Sequence, residues 1–163
     1  MNNLKFKSSG FTLVEVLVAI TLFITLIAGL IGLTQLSVRA TDASRLRVKS
    51  GNILQQTMEA VMAVRASNFS SLDQGIFHPE IVSDKWNLIS GTEIIDPIDS
   101  IERWVEISRV QREVSCGGER VCPVVDSGGI VDPVTFKARV VVSWQEHGQD
   151  QQQELESFLT FWR

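Results

Sequence analysis

The chain has 163 residues, enough for one domain or for one domain with an anchor. Hydrophobic residues make up 44% and charged residues 21%, a globular average that conceals two unlike parts. The net charge of −4, with no dense basic run, argues against an extended nucleic-acid footprint.

The first ten residues contain Lys5 and Lys7 and no acid. An apolar run of 26 residues follows, 11–36, and residues 16–33 within it carry no charge. About 20 helical residues cross a hydrocarbon core, so this run predicts a membrane-spanning helix. The two lysines hold its start on the cytoplasmic side and direct the rest outward. A secretory signal would be shorter and would end in a small-residue cleavage site, which is absent before the charged residues begin. An ordinary signal anchor fits the length but leaves Glu15 unexplained. A carboxylate in a lipid-facing helix is costly, which makes Glu15 a functional candidate.

The stretch "KSSGFTLVEVLVAI" resembles the N-terminal signal of type IV pilins and of the pseudopilins of type II secretion. The match falls on Lys7, Gly10, Phe11, Thr12, Leu13 and Glu15. The resemblance implies that prepilin peptidase cuts after Gly10 on the cytoplasmic side and that Phe11 is then N-methylated. In a bundle of such helices, the Glu15 carboxylate meets the Phe11 amine of a neighbouring subunit. That pairing relieves an isolated charge in an apolar setting and fixes the axial register. The competing reading is that Glu15 snorkels to the headgroups. The implied partners are the peptidase/methyltransferase, other pilins or pseudopilins, the inner-membrane assembly platform and membrane lipid. The implied location is the cytoplasmic membrane, with an extracytoplasmic head, and afterwards a filament. The specific resemblance covers about the first 35 residues.

No proline interrupts residues 11–66, which predicts one helix of 56 residues, about 84 Å long. Beyond Ser37 the apolar residues become one-sided. Leu46, Ile53, Leu54, Met58, Val61, Met62 and Arg65 fall mostly at three- and four-residue steps, as one face of a helix would. Arg39, Asp42, Arg45, Lys49, Gln55 and Glu59 supply polar surface, with Arg45, Arg47 and Lys49 read as a solvated basic face beside the membrane. Gly29 and Gly32 each weaken the anchor helix by about 1 kcal/mol relative to alanine. They mark either a site of softening or close helix packing through small residues, Ala28 and Gly32 being four apart. Gly51 is a second weak point.

The stretch "ASNFSSLDQGIFHPE" reads as a loop holding a short helical turn around Ser70 to Asp73. Residues 67–163 are rich in short Val, Ile, Phe and Trp runs and predict strands. "SIERWVEISRVQREVS" is one strand, with Ile101, Val105 and Ile107 on one face and Trp104 and Val110 on the other. "CGGERVCPVVDSGGIVDP" reads as a loop. Residues 133–163 form a hairpin turning near Gly148. Phe136, Ala138, Val140, Val142 and Trp144 alternate on its first strand. Leu155, Leu159 and Phe161 share one face of its return, and Phe158 and Trp162 the other. Trp144, Phe161 and Trp162 cover the helix in preference to forming a ligand platform. The hairpin and its terminal "FW" resemble minor pilins of the PilV kind more loosely.

The fold class expected is therefore α+β and pilin-like, a long N-terminal helix against a C-terminal antiparallel sheet. The divisions are a leader at 1–10, an assembly helix at 11–36, an amphipathic half at 37–66 and a β-rich head at 67–163. Cys116 and Cys122 read as one small disulfide loop in an exported chain, the alternative being two reduced thiols.

No catalytic constellation and no cofactor motif stands out. His78 and His147 lack partner patterns, and Gly117-Gly118 and Gly128-Gly129 lack the strand-to-helix context of a phosphate loop. Asp96, Asp99 and Glu102 hint at a cation site, but EF-hand spacing is absent and a solvated acidic turn is the preferred reading. Two functions remain. One is a low-abundance filament subunit, of a type IV pilus or of type II secretion. The other is a binding module displayed on such a filament, recognising a surface, DNA or cargo through residues 116–133.

Overall fold

The computed structural model describes residues 12–115, 122–125, 127–146 and 148–161. The chain divides into two compact units at Ala43/Ser44. One helix, α1, covers Leu13–Ser67. A short 3-10 turn at Phe69–Ser71 follows. Seven strands come next: β1 (Gly75–Val82), β2 (Lys85–Ser90), β3 (Glu93–Asp96), β4 (Ile101–Arg112), β5 (Val124–Val125), β6 (Ile130–Glu146) and β7 (Gln149–Thr160). The α+β expectation holds: one long N-terminal helix and one antiparallel sheet.

In the first unit the helix carries its large apolar side chains outward. Leu13 is 77% exposed, and Phe23, Leu26, Leu30 and Leu33 each remain more than 60% exposed. The β-branched residues that crowd this segment are indifferent helix formers. Lipid changes that balance, because a backbone group with no internal partner costs several kcal/mol there. The threonines follow the same rule. The hydroxyls of Thr21, Thr25 and Thr34 donate to the carbonyls of Leu17, Thr21 and Leu30 at 2.6, 3.1 and 2.9 Å.

In the second unit the remaining helical turns pack on a sheet of order β2-β1-β4-β6-β7. Strand β4 is central. One side pairs with β6 along most of its length, and the other is shared by β3, β1 and β5 in turn. Alternation places Val105, Ile107, Phe136, Ala138, Val140 and Leu159 on the helix side, against Met58, Val61 and Val64. Ile53, Ile101, Val142 and Trp144 form a second cluster. Each fully buried aliphatic side chain contributes about 1.5–3 kcal/mol. Trp144 is thus core, as expected. Phe161 is 47% exposed and lies against the Phe69 ring, centroids 5.3 Å apart. Trp162 lies outside the described residues.

Several expectations are corrected. The residues Gly75 to Glu80, expected in a loop, belong to β1. Pro79 is tolerated there because the β1–β4 ladder ends at Phe77, so its missing N–H costs no ladder bond. The glycine-rich segment expected to be all loop contains β5 and the start of β6. The helix buries Ser50, Thr57 and Ala60 alongside Ile53, Met58, Val61 and Val64, and leaves Leu46, Leu54 and Met62 only partly covered. Val110 is buried because the β4–β6 register shifts between Arg109 and Gln111. At that irregularity, residues 132–135 of β6 bulge opposite Val110 alone. Leu155 does share Leu159's face, its partner in register being Val140, but it is 39% exposed near the open edge of the sheet.

Candidate assembly segment and its supporting head

Glu15 lies in the first turn of α1, exposed, with its backbone N–H donating to the Thr12 carbonyl at 3.0 Å. A carboxylate there interacts favourably with the positive end of the helix dipole. The other residues of the expected processing and pairing site, Gly10 and Phe11, lie outside the described residues. Along the helix, Glu15, Val16, Ala19, Ile20 and Phe23 line a shallow groove. Their spacing puts them on one stripe, and the small Ala19 side chain makes the dip between larger neighbours. The helix is uninterrupted through Gly29 and Gly32. A side chain at either would meet nothing within 4 Å of this chain, so no internal contact requires a glycine there.

The acidic turn and the basic helix face, read separately from sequence as solvated, are joined. Lys49 Nζ donates to Asp96 and, at 2.8 Å, to Asp99. Arg45 reaches the same Asp99 carboxylate at 3.2 Å. Hydrogen bonding to Lys49 holds both carboxyls below their ordinary range, helped at Asp96 by the backbone N–H groups of Asp99 and Ile98. Hydrogen bonds to Asp96 and then Asp99 hold the Lys49 ammonium above its own range. The cation this turn takes is therefore a lysine of the chain itself. Glu102 points elsewhere in the same sheet, its neighbours in register being Ile94 and Ser143. Among the described residues no three His, Cys, Asp or Glu side chains are grouped to hold a metal ion.

Two guanidiniums, one buried and one partly buried, escaped the sequence reading. Arg103 stands in β4 between Ile101 and Val105, on the core face. It meets Glu93 at 2.6 Å, the Pro79 carbonyl at 3.1 Å and the Thr57 hydroxyl at 3.3 Å, so it ties β3, β1 and the helix together. The alternation that exposed Ile101, Val105 and Ile107 included position 103, and that was the available signal. Arg112 fills the β6 bulge, donating to Asp132 at 2.6 Å and to the Cys122 carbonyl at 2.7 Å. Burial works to raise the Asp132 carboxyl, but the Arg112 guanidinium, the Val134 N–H and the Thr135 hydroxyl outweigh it and hold it low. Cys116 lies outside the described residues, as does His147. His78 sits beside the Gly91 carbonyl, 3.3 Å from its Nδ1.

Residues 5–31 match a family model described as the prokaryotic N-terminal methylation motif. The chain carries a prokaryotic N-terminal methylation motif. The matched segment includes Gly10, Phe11 and Glu15 and runs on into the exposed apolar helix. It supports the type IV pilin and pseudopilin family, a family of structural subunits, and it implies processing by prepilin peptidase and assembly with other pilins. The exposed apolar helix fits a membrane-anchored protein of that kind. No curated protein and no solved structure matches the chain.

Proposed function

We propose that the chain is a minor pilin-like structural subunit of a type IV pilus or a related filament, of the PilV kind. The leader at 1–10 is removed by prepilin peptidase after Gly10, and Phe11 becomes the N-methylated amino terminus. The segment 11–36 anchors the precursor in the cytoplasmic membrane and later packs in the filament through Glu15 and the neighbour's Phe11 amine. The half at 37–66 carries the head, 67–163, outside the membrane, where Cys116 and Cys122 form one bridge.

The observation that carries this reading is the continuity of the methylation motif with a helix whose apolar side chains have no partner in their own chain. Such a surface needs lipid first and other helices afterwards. A conventional signal peptide would be discarded, and a plain anchor would have no use for the acid at Glu15.

The test is intact-mass analysis of protein recovered from its native host. A chain beginning with N-methyl-Phe11 is expected. Full-length protein starting at Met1, in cells with active peptidase, contradicts the reading. Gly10→Leu should block cleavage and leave membrane insertion unchanged, because the apolar run is intact.

A further inference from the structure

The sheet ends in β2 on one side and β7 on the other. Strand β2 is 6 residues long, begins with Lys85, and packs Trp86 and Leu88 against the core. Strand β7 is 12 residues long and pairs with β6 in one unbroken register from Gln149 to Thr160. It has no proline, no lysine or arginine and no bulge, the devices that ordinarily discourage pairing along an edge. One bond fixes which of its backbone groups face outward. The Phe161 N–H donates to the Val134 carbonyl at 3.2 Å, so residues 161 and 134 are a hydrogen-bonded pair. Such pairs alternate with pairs whose N–H and C=O point away from the partner strand. The odd-numbered residues of β7 therefore bond to β6, and Asp150, Gln152, Glu154, Glu156, Phe158 and Thr160 present N–H and C=O to the open side. Arg65 bears out this parity, because its guanidinium donates to the outward Thr160 carbonyl at 3.0 and 2.8 Å. Arg65 closes that end of the edge. From Asp150 to Phe158 the outward-facing residues are all exposed, and among the described residues no strand pairs with them.

We propose that β7 is a docking edge for an extended, cationic segment of another polypeptide, which adds to the sheet as one more strand. A row of N–H and C=O groups repeating every two residues, about 6.7 Å, is matched by another extended backbone. The charge of the added strand follows from the side chains beside it. Asp150, Glu154 and Glu156 lie on the sheet face away from the helix, in register with Gln145, Val141 and Arg139. Arg139 donates to Glu154 at 2.9 Å but is shared with Glu106, and Lys137 meets Glu156 at 2.8 Å. On β6 and β7 this face thus holds three carboxylates, Asp150, Glu154 and Glu156, against the two cations Lys137 and Arg139. Lysine or arginine at alternate positions of the added strand balances that surplus. Its other side chains fall beside Leu155, 39% exposed on the helix face, and are apolar. A second copy of β7 does not meet this requirement. In antiparallel self-pairing with like faces together, every register that pairs three or more of the outward residues from Asp150 to Phe158 sets one carboxylate opposite another, which is destabilising.

The test uses the full chain, isotopically labelled, in zwitterionic detergent micelles at about 0.15 M salt, which screens loose charge attraction. The probe is a synthetic peptide of about ten residues alternating lysine with valine or threonine, long enough to span the open stretch. Nuclear Overhauser contacts are expected between its backbone and the amides of Gln152, Glu154 and Glu156. A peptide with glutamate in place of lysine should bind at least about tenfold more weakly. Gln152→Pro removes an outward N–H without touching the ladder to β6, and it should weaken binding of the lysine peptide at least about tenfold, whereas Gln152→Ala should retain it. Backbone N-methylation of the peptide gives the same test without altering the protein. Methylating one alternate set of its residues should abolish binding, and methylating the other set should preserve it. No binding of the lysine peptide, equal binding of the glutamate peptide, or equal effects of the two methylated sets overturns the proposal. Self-association of the chain through β7, lost in Gln152→Pro, would show a second copy to be the occupant and overturn it as well.

Discussion

Lys49 on the helix is gripped by two carboxylates of one turn, Asp96 and Asp99, separated from it by about fifty residues of sequence. The contact is half-buried and has a definite pH window. The two carboxyls are held below their ordinary value of 3.8, so their contribution is full above that value and is lost as the pH falls through the lowered one. The Lys49 ammonium is held above 10.5, so its contribution is full below 10.5 and is lost as the pH rises through the raised value. The difference in melting temperature between the unaltered protein and Lys49→Met should therefore be flat between about pH 5 and 9 and shrink below about pH 4. Melting followed by circular dichroism across that range checks it. A difference that changes steadily through neutral pH would show that other groups govern the turn.

Arg103 should be the most sensitive charged residue of the head. Arg103→Ala removes its packing and leaves the Pro79 carbonyl and the Thr57 hydroxyl without a donor, an expected loss of about 2–4 kcal/mol. Arg103→Met keeps the aliphatic stem and should cost less than the alanine change. Chemical unfolding of the detergent-held chain, by near-ultraviolet signal, ranks the two. Equal losses would mean that the stem contributes nothing.

The β1–β2 hairpin turns on Ser83 and Asp84, at φ 53 and 63, with Val82 facing Lys85 across the loop. Both residues occupy the left-handed region, where asparagine and glycine are preferred. Ser83→Asn with Asp84→Gly should stabilise the head by about 1 kcal/mol. A rise in melting temperature with an unchanged spectrum is the expected result. A fall would show that the two side chains contribute more at this turn than their backbone strain costs.

Much of this fold was legible because periodicity reports burial. The alternation of Phe136, Ala138, Val140, Val142 and Trp144 placed all five on the core side, where they are. The N-terminal segment was legible for a different reason, since a carboxylate in an apolar run is rare enough to single out Glu15. What escaped depends on distant residues meeting. Lys49 reads as solvated until Asp96 and Asp99 are folded onto it, and Arg103 reads as surface until Glu93 and Pro79 surround it. Pro79 hid β1, because a strand can hold proline only where its neighbour's ladder has already ended, and that is a fact about β4 rather than about the local sequence.

The central claim is that Glu15 serves assembly, and the direct measurement is incorporation of Glu15→Ala into filaments. Insertion should survive, because deleting a charge from a spanning helix lowers its membrane cost by up to ~2.5–3.5 kcal/mol. Assembly should fail, because the neighbour's Phe11 amine then faces an apolar bundle without its counter-charge, and breaking one partner of a buried pair costs about 3–5 kcal/mol. Glu15→Gln, similar in shape but uncharged, should fail in part and so separate charge from packing. The quantity to compare is the amount of this protein in sheared filaments, or crosslinked to other pilins, relative to the amount in membranes. The account predicts cleaved, inserted Glu15→Ala protein that is depleted from filaments about tenfold or more, since 1.4 kcal/mol is already a factor of ten. Incorporation of Glu15→Ala equal to that of the unaltered protein would contradict it.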